Sequence, residues 1–188
     1  DAVGSNIRVD ARGNEVLRIL PRLHEGVNEE WISDKTRFAY DGLIRQRLDQ
    51  PYVRENGRLR PASWEEAFAL AASKMKSGFT ALTGDLCAIE EMVALKDLAK
   101  SFGGKISGLI NGLNIDTSSR AGYLFNSTIA GIEQADAILL IGTNPRKEAA
   151  MVNARIRKAW LEKRIKVAVI GENADLTYPT HYLGAGLE

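Results

Sequence analysis

A chain of 188 residues with 45% apolar and 26% charged side chains has the composition of an ordinary globular protein, large enough for one ample domain or a domain with a small appendage. A formal net charge of +1 excludes a globally basic nucleic-acid binder, and no apolar run approaches the ~20 residues needed to cross a bilayer. The single cysteine, Cys87, forms no disulfide within one chain and builds no cysteine-ligated metal or iron–sulfur centre by itself; the histidines, His24 and His181, sit at opposite ends. No secretory signal is visible, and a start at Asp1 rather than Met reads as a piece of something longer.

In chain order, Ser5–Val9 and Glu15–Leu20 flank the turn-forming Asp10-Ala-Arg-Gly-Asn14 and read as a hairpin ended by Pro21. Residues 21–62 are irregular and crowded with charge. The aromatics Trp31, Phe38, Tyr40 and Tyr52 among them predict a coil lying along a surface rather than a free linker. Ser63-Trp-Glu-Glu66 reads as a capping box opening a helix to about Lys76, with Trp64, Phe68, Ala71 and Met75 on one apolar face. Phe79–Leu82 reads as a short strand. The Thr83-Gly-Asp85 turn then leads to a helix capped by Asp85, whose buried stripe is Ala88, Met92, Leu95, Ala99 and Phe102 and which Gly103-Gly104 closes. Lys105 to Ile115 is ambiguous, Thr117 to Tyr123 is loop-like, and Ile129–Ala135 predicts a helical turn.

The most informative stretch is Ala137 to Trp160. Its apolar run to Ile141 suits a strand buried on both faces of a parallel sheet. Gly142 ends the run, Asn144 reads as a helix cap and Pro145 as the first helical residue. The helix extends to about Glu162 with Val152, Ile156 and Ala159 inward. Ile165–Ile170 is a further strand ended by Gly171. Alternating helices and strands predict an α/β fold: a Rossmann-like parallel sheet with helices on both faces, over residues 63–188, preceded by a small β-hairpin and coil module over residues 1–62.

Ligands of such sheets sit beyond the carboxyl ends of the strands. The candidate positions are Gly84 and Asp85 at one turn and Gly142, Thr143, Asn144 and Pro145 at the other. Helix-terminal amides hold phosphate without a complete motif, but neither glycine-rich phosphate signature is present, and Asp85 repels anions. The alternative is that both are simply tight strand-to-helix turns. Adjacent glutamates at 65–66, 90–91 and 29–30 would diverge on a helix, capping and dipole roles explain the first two pairs better than catalysis, and no hydrolytic triad is supported. The basic run Arg155, Arg157, Lys158, Lys163, Arg164 and Lys166 reads as a solvated helix face in preference to a phosphate or acidic-partner surface. Asn126-Ser-Thr128 matches a glycosylation sequon with nothing else to suggest secretion.

Several stretches together carry a resemblance. Asp1–Ile7, Arg18–Arg22, Asn28-Glu-Glu-Trp-Ile-Ser-Asp-Lys-Thr-Arg-Phe-Ala-Tyr-Asp-Gly-Leu43, Ser63–Ala67, Ala94–Leu98, Asn126–Ile132, Leu140-Ile-Gly-Thr-Asn-Pro-Arg146 and Asn153–Lys158 resemble the large peripheral 75 kDa (G) subunit of the proton-pumping NADH:quinone oxidoreductases over nearly the whole chain. More remotely the layout resembles molybdopterin oxidoreductases, in which the turn matching Gly142–Pro145 lies by a guanine-dinucleotide pterin. Those enzymes carry cluster cysteines at the start of the module and an Asp-Pro-Arg after the following strand. This chain has no such cysteines, and Gly171-Glu-Asn-Ala-Asp175 follows Ile170. The 75 kDa subunits themselves have Glu-Ala-Pro after the Asn-Pro-Arg, where this chain has Glu148-Ala-Ala150.

The resemblance therefore implies a vestigial pterin crevice, no catalytic residue, no metal and no cofactor in this stretch, with iron–sulfur clusters held upstream in the parent subunit. It implies a scaffold role beside other domains and peripheral-arm subunits, on the cytoplasmic face of a bacterial inner membrane or the matrix face of a mitochondrial one, without nucleic-acid partners or membrane insertion. The alternatives are a fragment that still binds molybdopterin guanine dinucleotide, and a free-standing interaction module.

Overall fold

The computed structural model describes residues 3–76, 78–84, 87–108 and 116–186. The chain divides into two compact units, one formed by residues 1–45 and 117–188 and the other by residues 46–116.

The first unit opens on the expected hairpin. β1 (Ile7–Arg12) pairs antiparallel with β2 (Glu15–Pro21), and the turn is made by Gly13 and Asn14, with Gly13 at φ 58° where a side chain is disfavoured. The charged coil that follows contains more order than its composition suggests. Ser33 caps α1 (Asp34–Phe38) by accepting the Thr36 N–H at 3.3 Å, and a 3-10 turn covers Ala39–Leu43. A second 3-10 turn, Ala130–Gln134, stands at the predicted helical turn, and a third covers Arg120–Gly122.

β7 (Ala137–Ile141), β8 (Lys166–Ile170) and β9 (His181–Gly184) form a parallel sheet in that order, with Leu140 opposite Val169. Between β7 and β8 the chain makes a short helix, α4 (Pro145–Glu148), breaks at Ala149, and resumes as α5 (Ala150–Lys163). The break corrects the single helix read from the sequence: Ala149 lies at φ −144°, ψ 67°, outside helical space. α5 ends where Arg164 turns left-handed at φ 56° and lays its guanidinium 4.4 Å from the Trp160 ring centroid.

Ile156 and Ala159 of α5 pack on Leu140, Val167 and Val169, and Ile132, Ile165, Leu176 and Tyr178 close this core. The face of β7 that carries Ile138 and Leu140 is thereby covered. Leu139 and Ile141, on its other face, are each 52% exposed, so the two-faced burial predicted for this strand is not found. α5 supplies only one layer.

The second unit holds an antiparallel hairpin, β3 (Tyr52–Glu55) with β4 (Arg58–Pro61), and a parallel pair, β5 (Thr80–Thr83) with β6 (Lys105–Gly108). Asn56 and Gly57, at φ 49° and 81°, make the two-residue turn that suits hairpin twist. α2 (Trp64–Met75) is capped by Ser63, whose Oγ accepts the Glu66 N–H at 3.1 Å. Only half of the predicted capping box forms, because the Glu66 carboxylate turns to Arg60 at 2.6 Å. The α2 stripe is also corrected: no α2 residue is buried, and Trp64 and Phe68 stack on each other at 5.4 Å while exposed.

α3 (Ile89–Ser101) does place Met92, Leu95 and Ala99 innermost, whereas Ala88 and Phe102 are exposed. Its cap is Ala88; the Glu91 carboxylate accepts the Ala88 N–H at 3.1 Å. Asp85 itself lies outside the described residues, as does the segment 109–115 of the ambiguous Lys105–Ile115 stretch, whose first four residues are β6. The described strands thus form small separate sheets, parallel in part, in a mixed α/β architecture.

Candidate functional site

The end of β7 carries four of the six candidate positions. Gly142, at φ 61°, donates its N–H to the Ile170 carbonyl at 2.8 Å and so holds the turn against β8. Gly171, the equivalent residue after β8, approaches so closely that a Cβ there would stand 3.3 Å from Gly142 Cα; only glycine fits, at φ 130°. Pro145 is buried as the first residue of α4.

Two carboxylates shape the chemistry of the turn. Glu148 accepts the Thr143 hydroxyl at 2.7 Å and the Asn144 N–H at 3.1 Å. Glu172 lies 3.4 Å from Asn144 Nδ2 and 3.5 Å from Lys147 Nζ. Asn144 therefore caps nothing with its own side chain; its Oδ1 is buried without a partner among the described residues. The two donors best placed to hold a phosphate, the Thr143 hydroxyl and the Asn144 amide, already serve a carboxylate. A phosphate brought here would meet Glu148 and Glu172, so the residues present do not fit a dinucleotide phosphate. Gly84, the remaining described candidate, belongs to the other unit and follows β5. Sequence reasoning missed both glutamates. The usable signal was Glu148 in the first helical turn, where a carboxylate finds free amides.

The larger omission lies on α5. Arg155 is 5% exposed and bonds the Glu133 carboxylate, the Glu29 carboxylate at 3.0 Å and the Glu25 carbonyl. Lys158 completes a four-membered ionic cluster, 2.7 Å from Glu29 and 3.2 Å from Glu133. Burial alone would raise the Glu133 carboxyl, but hydrogen bonds from Arg155 and Lys158 outweigh it and hold the group below its ordinary value. Hydrogen bonds to Glu29 and then Glu133 push the Lys158 ammonium up. Arg157 donates to the Thr177 carbonyl and Lys163 to the Glu133 carbonyl. Arg155, buried, and Lys158, half-buried, thus depart from the solvated basic face read from the sequence, whereas Arg157, Lys163, Arg164 and Lys166 are exposed as that reading expects.

Beside β7 lies a mostly apolar cavity of about 470 Å3. Ala137, Ile138, Leu139 and Leu140 all line it, and four consecutive residues of a strand alternate in facing, so the cavity follows the edge of β7 away from β8, which has no strand partner among the described residues. Among the described residues no group of three or more His, Cys, Asp or Glu side chains is placed to hold a metal ion, and no helix is long and apolar enough to cross a membrane.

Comparison with known proteins places this geometry in a family. Residues 47–188 match the family model for molybdopterin oxidoreductases. The chain belongs to the molybdopterin oxidoreductase family. Residues 1–41 match a second model, described as the NADH-ubiquinone oxidoreductase NDSU1/NuoG-like 4Fe-4S domain. Relatives of this family member include the mitochondrial NADH-ubiquinone oxidoreductase 78 kDa subunit of Neurospora crassa, 49% identical over 98% of this chain and 26% of that protein. The NADH-quinone oxidoreductase G subunit of Rickettsia bellii is 49% identical over the whole chain and 28% of its own length, and that of Rickettsia conorii 49% identical over the whole chain and 29% of its own length.

The resemblance to the 75 kDa (G) subunit is borne out. The chain spans less than a third of the length of these curated relatives. Residues 1–41 contain no cysteine and one histidine, His24.

Proposed function

We propose that this chain is a scaffold portion of the 75 kDa (G) subunit of an NADH:quinone oxidoreductase, supporting electron transfer from NADH to quinone without itself ligating a cluster, binding a pterin or supplying a catalytic residue. The observation that carries the reading is the Glu148 carboxylate on the Thr143 and Asn144 donors, which puts negative charge where a dinucleotide would need positive or neutral groups. The cysteine-free stretch 1–41 supports the same conclusion for iron–sulfur chemistry. In this reading residues 1–62 close a small β-rich module, and residues 63–188 are part of a Rossmann-like domain. The parent polypeptide works at the peripheral arm among other subunits, on the cytoplasmic or matrix side of its membrane.

One observation favours the alternative, a fragment that still binds molybdopterin guanine dinucleotide: the buried, unpartnered Asn144 Oδ1 is an acceptor waiting for a donor. Thermal unfolding in the presence of GDP decides between them. A ligand at a hundredfold excess over its Kd stabilises by about 2.7 kcal/mol. The scaffold reading expects an unchanged melting temperature up to millimolar GDP, and a saturable rise would overturn it.

A further inference from the structure

We propose that the loop Arg22–Trp31 is a preorganised docking surface for a basic, apolar-flanked segment of another protein. The loop is anchored from within. Asn28, 3% exposed, accepts the Asn6 N–H at 2.8 Å and donates to the Arg22 carbonyl at 3.2 Å and the Trp31 carbonyl at 3.0 Å. Arg155 reaches the Glu25 carbonyl from α5, and Arg155 and Lys158 hold the Glu29 carboxylate. Glu29 is kept at φ 49°, a conformation that a non-glycine residue adopts only when its surroundings impose it.

This bracing serves a loop whose large apolar side chains face outward. Leu23 is 64% and Trp31 60% exposed, around a hollow of about 350 Å3 lined also by Glu25, Glu29, Glu30 and Lys158. A rigid loop presenting a tryptophan loses little freedom on association, and tryptophan is a recurrent interface anchor.

Charge selects the occupant. Glu29 is neutralised from below by Arg155 and Lys158, whereas Glu25 and Glu30 are exposed and form no salt bridge among the described residues. A lysine or arginine entering here meets an indole face and two free carboxylates, while Leu23 receives an apolar neighbour. Nucleic-acid phosphates and anionic lipid headgroups are repelled by the same carboxylates. The inference does not depend on the scaffold role proposed above.

The test uses the full chain and fluorescein-labelled peptides of about twelve residues, one alternating Lys and Leu and one alternating Glu and Leu, followed by anisotropy. The Lys–Leu peptide binds the native chain and the Glu–Leu peptide does not. Trp31→Ala weakens binding about tenfold or more, and Glu25→Gln with Glu30→Gln severalfold, with the affinity falling as salt rises. Both variants keep the native melting temperature because the altered side chains are exposed. A control with Glu90→Gln and Glu162→Gln, removing two exposed carboxylates elsewhere, binds as the native chain does. The proposal is overturned by no binding, by equal affinity of Trp31→Ala, by an equal loss in the control, or by self-association of the native chain that Trp31→Ala abolishes, which would make the occupant a second copy.

Discussion

The phenol of Tyr178 donates to Asn153 Oδ1 at 2.8 Å, and Asn153 Nδ2 donates onward to the Leu176 carbonyl at 3.1 Å, all within the core of the first unit. This relay stitches the segment after β8 to the buried face of α5. Burial pushes the Tyr178 phenol up to about 12. A folded value raised above the unfolded value of 10.0 means stability that is complete below pH 10 and lost as pH rises from there through about 12. Tyr178→Phe leaves the Asn153 acceptor unpaired and costs about 1–3 kcal/mol by urea denaturation near neutral pH. The variant should also lose the alkaline step; an identical step in both proteins would assign it elsewhere.

The Arg155 cluster makes a sharper forecast. Removing one partner of a buried ion pair strands the others, at a cost of about 3–5 kcal/mol. Arg155→Ala should therefore destabilise strongly, while Arg157→Ala, which leaves the Glu29 and Glu133 carboxylates paired, should cost far less. Glu133 is held below its unfolded value of 4.5, so its contribution is present above about pH 4.5 and fades as pH falls through the lower folded value. Lys158 is raised above 10.5, so its contribution is present below that value and fades at higher pH. Glu133→Gln should flatten the acid limb of the stability profile. An unchanged acid limb would show that other carboxylates set it.

What was legible in advance follows from how local the cause is. Gly13-Asn14 between two strand-prone runs, the Ile165–Ile170 run, and the spacing of Met92, Leu95 and Ala99 all express backbone or periodic preferences, and the structure has them. Asn56-Gly57 is an equally local hairpin signal, obscured by Arg54, Glu55, Arg58 and Arg60, which made β3 and β4 look like irregular coil. The turn at Gly142–Pro145 was located correctly, but Glu172 comes to it from beyond β8, 28 residues from Asn144. Arg155 could not be distinguished from Arg157 by pattern, because its partners Glu29 and Glu25 are 126 and 130 residues away in sequence (155 − 29 and 155 − 25). Periodicity named an apolar face on α2 without saying what it faces, and Trp64 and Phe68 are exposed.

The sheet should respond asymmetrically to truncation. Leu140 and Ile156 are buried against each other's elements, whereas Leu139 and Ile141 are half exposed. Leu140→Ala and Ile156→Ala should each cost about 2–5 kcal/mol. Leu139→Ala and Ile141→Ala should cost less than about 1 kcal/mol in the isolated chain, because little buried area is lost. The uncovered side should also bind an environment-sensitive apolar dye, and Leu139→Ser with Ile141→Ser should reduce that signal. Comparable losses from all four alanine variants would mean that both faces are packed in solution.

At the candidate turn, Glu148 acts as a cap and as a barrier to anions, and substitutions separate the two roles. Glu148→Gln keeps a side-chain oxygen to accept the Asn144 N–H but removes the charge, so stability should fall by less than about 1 kcal/mol. Glu148→Ala loses both the Thr143 and the Asn144 bonds and should cost about 1–2 kcal/mol. If charge alone kept phosphate out, Glu148→Gln with Glu172→Gln would gain a GDP-dependent rise in melting temperature that the native chain lacks. The geometry predicts only a weak gain, since the glutamine oxygen still accepts the Asn144 N–H and its amide nitrogen still sits against the Thr143 hydroxyl. A strong gain in Glu148→Ala but not in Glu148→Gln would show that occupation of the amide and hydroxyl, more than charge, closes the turn.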